Sequence, residues 1–115
     1  MPTKAQGERI ISIIENDATS RGYYVDPDTG DMCVIGGLLA SVDPTLLRRL
    51  HRATNTNGIH ELPEVNKLLI MHFGLTLPQQ CELQYINDNH EALDTRRKAL
   101  KERVINWVIE QEHGR

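Results

Sequence analysis

Cys33 is the side chain whose sequence neighbours best suit a nucleophile. It follows the turn-forming stretch Asp26-Pro27-Asp28-Thr29-Gly30 and precedes the apolar run VIGGLLASV, which places it at the expected N-terminus of a helix. Backbone amides and the helix macrodipole lower a thiol's pKa at such a position. Farther along, Asn87-Asp88-Asn89-His90 offers a histidine base, His90, with Asp88 among the side chains able to orient it, so the parts of a Cys/His/Asn acyl-transfer site are present. The structural reading of Cys33 is the stronger one. Cysteine is among the most buried residue types, Cys33 opens the most apolar stretch of the chain, and no glycine-bounded nucleophile motif surrounds it.

Metal chemistry has less support. Asp88, His90, Glu91 and Asp94 are close in sequence, but they form neither an HExxH nor a paired CxxC pattern, and Asp26, Asp28 and Gly30 resemble a calcium loop only until Gly37 falls where its bidentate glutamate belongs. No metal and no cofactor is expected. Arg96, Arg97, Lys98, Lys101 and Arg103 form a local basic patch, which raises nucleic-acid binding as an alternative. Arg97, however, falls on the apolar side with Leu93 and Leu100. An internal ion pair from Arg97 to Asp88 is therefore expected, with Arg96, Lys98 and Lys101 on a solvated helix face.

These side chains need elements to hold them. The chain has 115 residues, 39% of them hydrophobic and 25% charged, enough for one core and one domain over residues 1–115. A net charge of −3 provides no general attraction to nucleic acid or anionic lipid. The most apolar run, residues 32–42, is well short of the ~18–20 apolar residues of a membrane span, and no signal-peptide pattern precedes it. A cytoplasmic protein with two reduced cysteines is the expectation.

Thr3-x-x-Gln6 is a capping box, and the stripe Ile10, Ile14, Ala18 predicts a helix that Gly22 ends. Tyr23, Tyr24 and Val25 with the following turn predict a short β-hairpin near residues 23–33. Residues 33–42 read as a short buried helix whose Cys33, Gly36, Gly37 and Ala40 form a small-residue face for a neighbour, with the last helix favoured. Asp43-Pro44 starts the next helix, expected to end near Ala53, and residues 54–60 read as a loop. Pro63 to Gly74 bounds another, Thr76-x-x-Gln79 caps a further one running to about Asn87, and the last spans about Asp94 to Glu112. Its buried face is predicted to carry Arg97, Leu100, Val104 and Trp107, with Ile105 and Ile109 flanking it. The fold class is thus mainly α: a compact five- to six-helix bundle with at most one short hairpin.

Cys33 to Gly37 as CVIGG, the Asn87-Asp88 pair in YINDNH and the downstream Arg96-Arg97 resemble a family of uncharacterised small actinobacterial and phage proteins, in which a Cys-x-x-Gly-small helix start precedes an Asn-Asp pair and a final helix. The chain departs from that pattern at Tyr85-Ile86, where a tryptophan is frequent, and at Gly37, where alanine is usual. The resemblance implies a helical domain in which Cys33, Gly36, Asn87 and Asp88 belong to one centre, joined on the residue reading by Arg97.

The functional expectation is a non-enzymatic protein-interaction module, phage-encoded or linked to host defence, binding a protein through a helical face. Tyr23, Tyr24, Arg96, Lys98 and Lys101 are the contact candidates, since amphipathic rings suit interfaces. Homodimerisation through an apolar helix face is equally compatible. A cysteine-dependent hydrolase or transferase using Cys33 and His90 is the alternative from another class, and nucleic-acid binding by the last helix is a third.

Overall fold

The computed structural model describes residues 2–50 and 62–114. Six helices lie along these residues: α1 (Lys4–Asn16), α2 (Val34–Val42), α3 (Pro44–Arg49), α4 (Pro63–Phe73), α5 (Leu77–Asn89) and α6 (Leu93–His113). The fold is the mainly α bundle that the periodicity predicts. Most starts and stops follow from local chemistry. Thr3 with Gln6, and Thr76 with Gln79, close reciprocal capping boxes at α1 and α5. Asp43 accepts the Leu46 amide ahead of Pro44, and Gly74 ends α4 in the left-handed conformation at φ 65°.

Other boundaries differ from expectation. α1 stops at Asn16, well before Gly22, because Ala18 takes a left-handed φ of 64° and turns the chain away. Among the described residues the hairpin contracts to an antiparallel bridge, Val25 to Met32, around a turn in which Asp26 Oδ1 accepts the Asp28 and Thr29 amides. α3 ends at Arg49; the expected end near Ala53 and the loop at residues 54–60 lie outside the described residues.

α2 is the centre of the core. Its residues Val34 to Leu39 are all buried, and it packs on α1, α3, α4 and α5. Ile10 and Ile14 of α1, Leu69 and Phe73 of α4, Leu83 of α5, and Leu100 and Val104 of α6 complete the interior. Burial of each such side chain contributes about 1.5–3 kcal/mol, which is why an 11-residue apolar run can anchor a bundle with so few aromatics. The glycines of α2 do accept close neighbours, although not α6. A Cβ on Gly36 would collide with the Tyr24 carbonyl oxygen, and one on Gly37 would meet Asp17 and Ile13 of α1. Gly7 is the glycine that faces α6, where a side chain would strike Val108.

Candidate functional site

The segment between α1 and α2, residues 17–33, crosses the ends of α5 and α6, and side chains of those two helices hold four of its backbone groups, the carbonyls of Asp17, Ala18 and Ser20 and the amide of Gly22. Asn87, fully buried, accepts the Val34 amide at 2.9 Å on Oδ1 and donates from Nδ2 to the Ser20 carbonyl at 2.9 Å. Asp88 accepts the Gly22 amide at 3.2 Å and the Gln84 amide group at 3.0 Å. An uncapped amide at the start of a buried helix would be costly, and Asn87 reaches one that the N-cap side chain does not.

That N-cap is Cys33. Its sulfur accepts the Gly36 amide at 3.4 Å and donates to Gln84 Oε1 at 3.8 Å, so Cys33, Gly36, Asn87 and Asp88 lie in one hydrogen-bonded centre. Burial pushes the Cys33 thiol up to about 12; the Asp88 carboxylate adds to this, while the Gly36 amide opposes it without reversing it. The effect of burial on the thiol outweighs that of the helix N-terminus. His90, offered as the base, instead has its ring Nδ1 2.9 Å from the Ile86 carbonyl one turn back, an acceptor to which a ring N–H donates. Among the described residues, no three His, Cys, Asp or Glu side chains converge in a group that could hold a metal ion.

Arginine placement is inverted relative to expectation. Arg96, expected on the solvated face, is 3% exposed, and its guanidinium spans three carbonyls: Ala18 at 2.7 Å, His90 at 2.8 Å and Glu91 at 2.9 Å. It thereby closes the chain turns that follow both α1 and α5. Burial lowers its pKa, with nearby Arg21 acting in the same direction and Asp88 against. Arg97, expected to pair with Asp88, is half-buried and gives two hydrogen bonds to the Asp17 carbonyl, at 3.1 and 3.0 Å. The left-handed Ala18 is held between these two anchored carbonyls. Asp17 itself is pushed up by burial, with Arg97 opposing.

Tyr24, offered as an exposed interface ring, is fully buried, with its carbonyl against Gly36 and its hydroxyl without a hydrogen-bond partner among the described residues. Tyr23 is half-buried and Lys98 is exposed. Lys101 pairs with Glu15 of α1 at 3.5 Å, and Arg103 makes a two-point contact with Glu82 of α5 at 2.6 and 3.2 Å.

A second feature lies on the outside. α1 and α6 run antiparallel, and between them a groove of about 260 Å³ is walled by Ile11, Ile105, Val108 and Ile109, with Lys4 and Glu112 at one end. It continues past Ile11 and Ile105 into a wider depression beside Glu15, Lys98 and Lys101. Ile105 and Ile109 are 45% and 46% exposed. Their position beside the main apolar stripe of α6 was the one sequence signal for this face; Gln84 and Asp17, by contrast, carry no local signal for their roles. No family model matches the chain, and no curated protein or solved structure matches it.

Proposed function

We propose that this protein is a non-enzymatic interaction module whose protein partner seats on the α1–α6 face. The observation that supports this reading is the pair of half-exposed isoleucines, Ile105 and Ile109, continuous with Ile11 and Val108 across two helices and rimmed by charge. An apolar centre within a polar rim is the anatomy of a recognition surface, and contiguous exposed apolar area is what distinguishes such a surface from scattered apolar residues. The other exposed apolar pair, Ile70 and Met71, flanks a groove that, among the described residues, is lined by α4 alone.

The polar centre adds support by its inwardness. A thiol held at about 12 is ionised to only about one part in 10⁵ at pH 7, a poor start for a cysteine nucleophile. Four of the five side chains of the basic patch, Arg96, Arg97, Lys101 and Arg103, are engaged within the chain. Little of that patch remains to bind a polyanion.

The test is a photo-crosslinking amino acid placed at Ile105 in the cell that makes the protein, with exposed Thr45 as the control position. A discrete adduct from position 105 and none from 45 is expected. Absence of an adduct at both 105 and 109 would overturn the reading.

A further inference from the structure

The occupant of this face can be read from its charges. On α1 the order along the face is Lys4, Ile11, Glu15; on the antiparallel α6 the side chains at the same levels are Glu112, Ile105 and Lys101. At these three levels the two helices carry either opposite charges or a pair of isoleucines, while between them Gly7 faces Val108 and Glu8 and Glu102 border the groove. Turning a second copy by 180° about an axis along the groove lays its α1 over this α6, and its α6 over this α1. Lys4 then meets Glu112, Glu15 meets Lys101 and Ile11 meets Ile105, twice over. Resting on the reading above, we infer that the partner is a second copy of this chain, and that the face is the isologous interface of a homodimer.

The dimensions fit a modest association. The face follows α6 from about Lys98 to Glu112, roughly 20 Å at 1.5 Å per residue, and is two helices, roughly 20 Å, wide. About 400 Å² per copy would be covered, somewhat under the roughly 1,000 Å² total of a stable specific interface and in the range of weak, concentration-dependent pairs. The other two-fold arrangement, α6 on α6 and α1 on α1, brings Glu112 near Lys101 instead of Lys4, so charge exchange separates the two geometries.

Sedimentation equilibrium of the full chain from about 1 µM to about 1 mM is the experiment. The weight-average mass should rise from 13.1 kDa toward twice that value. Ile105→Asp with Ile109→Asp should hold the mass at the monomer value, with an unchanged far-UV CD spectrum showing that the fold survives. Lys4→Glu and Glu112→Lys should each weaken self-association about tenfold, and mixing the two variants should restore it, since the mixed pair regains both attractive contacts. A wild-type chain that stays monomeric overturns the inference, as does a dimer indifferent to the isoleucine pair or a mixture that fails to recover. If the wild type is monomeric while position 105 still crosslinks to a protein of another mass, the face reading stands and only the second copy is lost.

Discussion

Replacing Arg96 by methionine isolates the contribution of the polar centre to stability. The guanidinium donates to the carbonyls of Ala18, His90 and Glu91 from a position 3% exposed, so three acceptors at two chain turns lose their partner together. Hydrogen bonds from a charged donor contribute about 1.5–3 kcal/mol each, and three of them set an upper bound. Methionine keeps the aliphatic packing and removes the cost of burying a cation, which recovers part of that sum. A net loss of about 3–5 kcal/mol is expected, the usual result of removing one side of a buried charged network. For a domain with roughly 5–15 kcal/mol in hand, this lowers the melting temperature by about 10–20 °C. Arg97→Met is the internal standard: it removes two bonds to one carbonyl at a half-buried position and should cost about 1 kcal/mol. Urea unfolding followed by far-UV CD measures both. A loss under about 1 kcal/mol for Arg96→Met, or one no larger than for Arg97→Met, would refute the reasoning. Arg96→Lys should recover less than half of the loss, because a single ammonium cannot span carbonyls from two chain segments.

The Cys33 thiol ionises near 9 when unfolded and near 12 when folded, so deprotonation favours the unfolded chain; its contribution is complete below about pH 9 and declines as pH rises toward 12. Urea midpoints between pH 7.5 and 10.5 should show wild type losing about 2 kcal/mol more than Cys33→Ser, and parallel profiles would show that the thiol is not buried as described. Gly36→Ala should destabilise by about 3 kcal/mol or more, since its methyl meets the Tyr24 carbonyl, whereas Gly22→Ala, with open space but a φ of +82°, should cost about 1 kcal/mol. Thermal unfolding that ranks these two in the opposite order would remove the close-approach explanation of Gly36.

Features that depend on a few neighbouring residues could be read in advance. The Thr3 and Thr76 capping boxes, the Asp43-Pro44 start and the Gly74 stop are short-range chemistry, and the sequence carries them whole. The arginines could not be resolved that way. Positions 96 and 97 both share a helix face with Leu100 and Val104, at spacings of four and three, and periodicity alone does not choose between them. What chooses is the location of three carbonyls, one of them 78 residues earlier in the chain. Tyr24 lies inside for a related reason: adjacent tyrosines in extended chain point to opposite sides, and composition does not say which side is inside. Cys33 sits at the helix start that its neighbours indicate, yet its chemistry depends on burial, a property of the assembled bundle.

The bonds that fasten residues 17–33 have a kinetic consequence. Gly22 to Asp88, Ser20 to Asn87, Ala18 to Arg96 and Asp17 to Arg97 join positions 66, 67, 78 and 80 residues apart. Such contacts add nothing until most of the chain has been made and the closure entropy of a long loop has been met. Two of these bonds wait for α5 and two for α6, so until both have docked the segment between α1 and α2 is held only by its own turn and bridge contacts. A helix made some 80 residues later completes the first turn of the fold.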